Sequence, residues 1–529
     1  MPFQTVKPAE ATETPLTDTI TPSVLVTRTP VRLEPDTSRV LAALFMPGEE
    51  MPEDHSRATA VIERVLALPD GEVTATLADL TSRFAGRHRD LDASFLQHFD
   101  LVASRLPPGA MPSEEQRRLI GAYFTDEELT EGAALTNPSM VEHPDQSGLG
   151  PGETRFVLSA RAVGEGHTSV LEFRTGVAGA DLRISLDEPR GQLIAGRPCP
   201  TVYERDAFRV VLTELGEDDE TVDLVLGVLG PQFDSVELGR AVASLDLQVL
   251  SRQAAQETVR RIAWVAANNY DVTFPEDAAI DEQVLTPTGP TESHGIEDAR
   301  FVRFVNDDGS VMYYATYTAY DGSHVVPQLL ATADFRRFRA HQLSGPAARN
   351  KGMALFPRRI GGRYVALSRC DRESISLATS DDLWRWSLPT TIQSPELSWD
   401  LIQIGNCGSP IETPDGWLVL THGVGPMRTY VIGASLLDLD DPSRTIATLP
   451  DPLVTPTPEE RNGYVPNVVY ACGGMVHAGV LVLPFGFGDR AIGIALVDLP
   501  MLADRFRSSA RSRHRRPPGG GLLVSDSGI

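Results

Sequence analysis

The segment SHGIEDARFVRF sets Glu297 and Asp298 directly before a strand-like run, with Arg300 two residues after Asp298. Successive strand residues face opposite ways, so Asp298 and Arg300 are expected to share a face while Glu297 turns away. A carboxylate beside a guanidinium is either an acid whose ionisation is tuned or a structural salt bridge, and composition alone favours the bridge. A second set is cationic and polar: Arg161, His167, Lys351, Arg369, His422, Arg428 and Tyr430. Gathered at strand ends around one axis they would form an anion site, with phosphate the natural guest; left apart they are surface charges. Of the 47 lysine and arginine residues only Lys7 and Lys351 are lysine. A lone lysine in the body of so arginine-rich a chain asks why the planar guanidinium would not serve there. Trp384, Trp386, Trp399 and Trp417 fall within 34 positions. Their faces could stack on sugar rings or fill the core between strand units. No nucleophile elbow, P-loop, HExxH or dinucleotide fingerprint stands in its required context, and no metal-ligand set is seen.

The elements that must position these residues are mostly strands. Hydrophobic or aromatic runs follow turn residues in GETRFVLSARA, DGSVMYYATYTAY, GGRYVALSR, DGWLVLTHGV and AGVLVLPFGFG. The last four turn glycines, Gly309, Gly362, Gly416 and Gly479, are 53, 54 and 63 residues apart. Each run is followed by a second strand-like segment, as when one four-stranded unit repeats, and five units suggest a five-bladed β-propeller rather than a sandwich. In such a fold, residues remote in sequence meet in one axial funnel. Helical periodicity marks two other regions, SRATAVIERVLALPDG with LDASFLQHFDLVASRL, and DSVELGRAVASLDLQVL with SRQAAQETVRRIAWVAANN. The expected organisation is mainly β. It comprises an N-terminal tail or edge strand over 1–36 (VLVTRTPVRLE), a helical domain over 37–132 and a propeller over 133–505. A helical insertion at about 205–268 hangs between the first two blades, and a basic, Gly/Pro-rich tail covers 506–529.

At 529 residues and 41% hydrophobic content the chain is globular and longer than one ordinary core. A formal charge of -25 argues against nucleic-acid and anionic-membrane partners. The start, MPFQTVKPAEATETPLTD, has no basic region followed by an apolar core, and no segment approaches the roughly 18 apolar residues of a membrane span, so a cytoplasmic location is expected. Cys199, Cys370, Cys407 and Cys472 form no CxxC pair and read as free thiols.

The ordered series NPSMV, GIEDARF, YYATYTAYDG, NKGMALFPRRIGGRYVALSR, SDDLWRW, IGNCGSPIETPDGWLVLTHGV, YVIGASLLDLDDPS, ERNGYVPNVVYACG and FGFGDRAIGIA runs from about Asn137 to Leu499. It resembles glycoside hydrolase family 130, the β-mannoside phosphorylases and β-1,2-mannosidases. The resemblance implies a five-bladed propeller and an inverting reaction, with Asp298 as the acid that protonates the leaving oxygen through a sugar hydroxyl. Phosphate attacks the anomeric carbon from the opposite face, in keeping with the roughly 6.5–9.5 Å that inverting carboxylate pairs leave for the attacking group. It further implies that Arg161, Lys351, Arg369, His422 and Tyr430 hold phosphate and that Glu297, Arg300, Asn467 and Asp489 bind substrate. Inorganic phosphate is then a co-substrate and no cofactor is expected. The partners are an oligosaccharide, β-1,2- or β-1,4-linked, and phosphate, with α-mannose 1-phosphate released; a homo-oligomer is an open reading. The chain departs from the family pattern at Ala299, where proline is usual, and at Phe487-Gly488-Asp489, which stands for Tyr-Gly-x-x-Asp. A hydrolase using a glutamate base, and a non-catalytic carbohydrate-binding propeller, are the alternatives. The helical regions lie outside the resemblance and either cap the funnel or build an oligomer interface.

Overall fold

Consecutive residues of the strands serve different neighbours. Along Gly295–Val305, Phe301 enters one hydrophobic cluster while Val302 and Phe304 enter the next. Gly416–Val424 divides likewise, with Trp417 and Val419 to one side and Leu418 and Leu420 to the other. A period of two with both faces apolar is what a sheet sandwiched between two other sheets requires.

The computed structural model describes residues 24–48, 56–190, 192–217, 219–246 and 251–514. Its main strands form five antiparallel groups. The first holds Ala134–Glu142, Thr154–Val163 and Ser169–Ala178, and the second Gly295–Val305, Val311–Tyr320, Val325–Thr332 and Arg337–Gln342. The third holds Ala354–Leu355, Tyr364–Ser368, Ile375–Ser380 and Thr390–Gln393, and the fourth Gln403–Asn406, Gly416–Val424, Tyr430–Leu437 and Thr445–Thr448. The fifth is Val469–Tyr470, Val480–Phe487 and Ala491–Asp498, completed by Val26–Leu33 from the other end of the chain. The segment expected as a tail or edge strand is thus an edge strand where it is described; residues 1–23 lie outside the described residues. Five hydrophobic clusters join the groups in sequence, and the last, with Leu135 and Leu158 against Val482 and Ile494, joins the fifth back to the first.

Before the first group, helices Arg57–Leu66, Asp70–Phe84, Leu91–Val102 and Glu114–Tyr123 pack Ile62, Phe99, Leu119 and Phe124 together. Asp90 accepts from Ala93 N at 2.9 Å and Ser113 forms a capping box with Gln116, which fixes where two of these helices begin. The stretch is not helical throughout. Val40–Leu44 pairs with Thr125–Leu129, so 37–132 opens and closes on an antiparallel ribbon, the seven-residue apolar run Val40–Met46 before Pro47 being too short for a stable helix. Arg39, Glu131, Glu172 and Arg174, all buried, tie this region to the first group, with Arg39 Nε donating to Glu172 at 2.7 Å.

The insertion contains helices Arg205–Glu214, Glu220–Gly227, Ser235–Ala243 and Gln253–Ala267 around Phe208, Leu212, Phe233 and Ile262. It falls between the first two groups in sequence. It docks against the second and third: Glu214 accepts from Gly345 N at 2.7 Å and from Arg385 Nε at 2.9 Å. The boundary expected at 506 falls inside helix Leu499–His514, because Leu502 and Phe506 bury into the cluster between the fourth and fifth groups; residues 515–529 lie outside the described residues.

Candidate active site

The pairing of Gly295–Val305 with Val311–Tyr320 is regular except between Glu297 and Arg300, where the register shifts. Asp298 occupies this bulge with φ 56, a left-handed conformation that is strained for a residue carrying a side chain. The bulge cancels the alternation expected of a plain strand, so Glu297 does not turn away. Arg161 Nη2 donates to Glu297 Oε1 at 2.5 Å, and Arg161 Nη1 lies 3.8 Å from Asp298 Oδ1. A second irregularity, between Thr136 and Ser139, places Asn137 at φ 50, where its amide donates to Asp298 Oδ1.

From here the contacts close a ring. The Lys351 ammonium bonds the other Glu297 oxygen. Arg369 packs over the neighbouring Gly352, where a Cβ would lie 3.4 Å from Arg369 Cβ. Arg369 Nη1 donates to His422 Nε2 at 2.8 Å. The His422 ring lies 4.9 Å from that of Tyr470 and stacks at 6.2 Å with Tyr430. Tyr470 OH accepts from Arg300 Nη2 at 2.8 Å, which returns to the strand of Asp298. Asp489, at φ 45, stands alongside and accepts from Thr136 Oγ1 at 3.3 Å. Asn467, at φ 63, joins through its main chain, its carbonyl accepting from Tyr430 N at 2.9 Å. Residues from all five groups therefore meet at one place, and each of the expected site residues is in this ring or against it.

The charges are set by burial working against neighbours. Burial pushes the Asp298 carboxyl up, but Lys351, Arg161, Arg300 and the Asn137 hydrogen bond together hold it below the ordinary carboxylate value. Asp489 goes the other way, raised by burial and by the Asp298 charge despite Arg161 and Arg428. His422 is lowered well below the ordinary imidazole value, first by burial and then by Arg369 and Arg300. It is consequently a neutral hydrogen-bonding group rather than one of the cations it was counted among. Tyr470 is raised by burial and stays a phenol. The Nε–H groups of Arg161, Arg300 and Arg369 are buried and have no hydrogen-bond acceptor among the described residues. The cations that an incoming anion can reach are the partly exposed Arg161 and Lys351, both paired with Glu297.

Thr136, Asn137 and Tyr470 were not singled out from sequence, although NPSMV and VPNVVYACG contain Asn137 and Tyr470. Only the bulge makes their reach visible. Three of the four tryptophans fit the core reading: Trp386 and Trp417 are fully buried, Trp417 lying edge-on to Phe356 at 5.0 Å, and Trp384 lies 4.0 Å from His341, whereas Trp399 is half-buried outside the hydrophobic clusters and donates through Nε1 to Pro450 O at 3.0 Å.

Residues 266–506 match the sequence model of a family described as beta-1,4-mannooligosaccharide phosphorylase. A 1,2-beta-oligomannan phosphorylase from a Thermoanaerobacter species is 34% identical over 224 residues, 42% of this chain and 74% of that protein. A beta-1,2-mannobiose phosphorylase from Listeria innocua is 32% identical over 226 residues, 40% of this chain and 61% of that protein. The solved structure of a beta-1,2-mannobiose phosphorylase from Listeria innocua, in complex with beta-1,2-mannobiose, aligns with TM-score 0.44 and 21% identity, covering 71% of this chain and 92% of that one. Matched by relatives of this identity and extent, the chain belongs to glycoside hydrolase family 130.

Proposed function

We propose that the protein is an inverting phosphorylase of β-linked manno-oligosaccharides that releases α-mannose 1-phosphate, built on a five-bladed β-propeller. The five strand groups and the cluster that returns the fifth to the first support the propeller. The observation that carries the reaction is the gathering of Lys351, Arg161 and Arg300 around one buried carboxylate, with Arg369 bonded to His422 in the same ring. Phosphate placed against Arg161, Lys351, Arg369, His422 and Tyr430 supplies the attacking oxygen. A bond forms from that oxygen to the anomeric carbon as the bond to the leaving sugar breaks, and the leaving oxygen takes a proton from Asp298 through a sugar hydroxyl. Asp489, Glu297, Arg300 and Asn467 orient the mannosyl unit.

The lowered pKa of Asp298 fits this order of events. In the free site the cations keep the carboxyl ionised; phosphate settling among the same cations opposes their hold, so Asp298 takes up a proton from solvent and becomes a competent acid as the nucleophile arrives. Product analysis of β-1,2- and β-1,4-linked mannosides with and without inorganic phosphate tests the reading. Mannose 1-phosphate is expected only with phosphate, and equal release of free mannose in phosphate-free buffer would assign a hydrolase. Asp298→Asn should lower turnover by about 10²–10⁴-fold while mannose binding is largely kept, because the acid acts in the transition state.

A further inference from the structure

Two hairpin turns at the site match in a way the reaction proposed above does not use. One is Gly164–Thr168, GEGHT, which follows the strand of Arg161; the other is Gly425–Thr429, GPMRT, which follows the strand of His422. Each begins on an extended glycine, with φ -99 at Gly164 and -110 at Gly425. Each then has two successive left-handed residues, Gly166 and His167 at φ 65 and 61, Met427 and Arg428 at φ 57 and 54. Each is closed by the same bond, Gly164 N to Thr168 O and Gly425 N to Thr429 O, both at 3.0 Å. His167 and Arg428 thus occupy one position of one turn in two different groups, each six residues beyond an expected phosphate ligand. Left-handed backbone at His167, Met427 and Arg428 is disfavoured by side-chain sterics, and strain of this kind marks functional loops.

Both side chains meet an aromatic ring. His167 lies 6.1 Å from the ring of Tyr464, with 31° between planes, and the Arg428 guanidinium lies 5.9 Å from the centre of the Tyr430 ring. Tyr464 is 60% exposed, yet its loop is fixed to the turn that carries Asp489. Val465 N donates to Gly488 O at 3.0 Å, and a Cβ at Gly463 would fall 2.1 Å from the same oxygen. Arg428 also acts on Asp489, its charge being one of those that hold that carboxyl down. An exposed aromatic face with an imidazole against it, on a loop bonded to the turn of the carboxylate expected to bind mannosyl hydroxyls and with the Arg428 charge within reach of that carboxylate, suits a pyranose ring: the apolar C–H face stacks and the hydroxyls take hydrogen bonds.

We propose that His167, Tyr464 and Arg428 form the subsite for the sugar on the leaving side of the cleaved bond, held by the two matching turns. This rests on the proposed mannoside substrate but is independent of whether phosphate or water attacks. Calorimetric titration of the full chain in an Asp298→Asn background, without turnover, reads it directly with mannose and with β-1,2- and β-1,4-linked mannobiose. Tyr464→Ala and His167→Ala are each expected to weaken binding of the accepted mannobiose about tenfold and that of mannose by less than about twofold. Tyr464→Phe, which keeps the ring, should bind as the background protein does. Unchanged mannobiose affinity in Tyr464→Ala, or equal losses for mannose and mannobiose, would overturn the subsite. A background protein that binds neither mannobiose overturns the mannoside reading itself, and the subsite with it.

Discussion

Asp298 owes its ionisation to neighbours that sequence distance conceals, and each can be removed separately. The Asn137 amide bonds the charged form of the carboxyl, so Asn137→Ala should raise the pKa of Asp298. An acid that must be protonated to act then stays active to higher pH, and the alkaline limb of the kcat/KM profile should move up in pH while the phosphate KM changes little. A limb that stays in place would show that the Asn137 bond does not tune the acid. Lys351 poses a different question, because its charge can be kept while its shape is changed. It is one of two lysines in the chain, and its compact ammonium sits on Glu297, one residue before the Gly352 against which Arg369 packs. In Lys351→Arg a planar fork must fit the same gap, and the phosphate KM should rise by at least about tenfold with little change in Tm. Superimposable phosphate saturation curves would remove Lys351 from the phosphate site.

The strands of the site are regular where they pack and irregular where they act. Register shifts lie between Thr136 and Ser139 and between Glu297 and Arg300, and Asn137, Asp298, Asn467 and Asp489 all have positive φ. Ladder hydrogen bonds on either side of each irregularity hold the strained residue, so its cost is borne by the sheet rather than by the loop. The loop carrying Tyr464 and Asn467 meets the turn of Asp489 most closely at Gly463 against Gly488, beside the bond from Val465 N to Gly488 O. Gly463→Ala would place a methyl 2.1 Å from the Gly488 carbonyl oxygen, which forces the two segments apart. A loss of about 1–3 kcal/mol is expected for such overpacking, read as a fall in Tm, together with a raised KM for the mannoside as the turn of Asp489 shifts. Wild-type Tm and KM in this variant would mean that the loop is not fixed through that contact.

The molecule is held together by a strand from one end of the chain laid on the last group formed at the other. Val26–Leu33 pairs with Ala491–Asp498, and Arg28 reaches Glu460, which is 2% exposed, at 2.9 Å. Removing residues 1–34 would uncover the edge of Ala491–Asp498 and leave the Glu460 carboxylate buried without its cation. The truncated protein should melt at lower temperature and scatter light increasingly with concentration; an unchanged melting curve would show that the fifth group is complete without this strand. The helical regions sit at the periphery of the described structure, one tied through Arg39 and Glu131 to the first group and the other through Glu214 to the second and third. Neither contributes a residue to the ring around Asp298.

Which segments become the strands of the five groups was largely legible without coordinates, because apolar alternation and the spacing of turn glycines are local properties of the chain, whereas the ribbon of Val40–Leu44 and Thr125–Leu129 was not. So was the candidate chemistry, since the motif order around GIEDARF, NKGMALFP and GWLVLTHGV marks Asp298, Lys351 and His422 as residues to watch. The sequence was silent where geometry depends on an exception to a period. Alternation predicted that Glu297 would leave Asp298 and Arg300, and only the bulge at Asp298 brings Glu297 and Asp298 together onto Arg161. The charge of His422 was not readable either. Its neutrality follows from burial and from Arg369 and Arg300, which lie 53 and 122 positions away and meet it only when the five groups come together. Pairing between strands close in sequence is written in local pattern, whereas the ionisation of a buried side chain is the sum of fields from every group around it, and that sum exists only in the assembled fold.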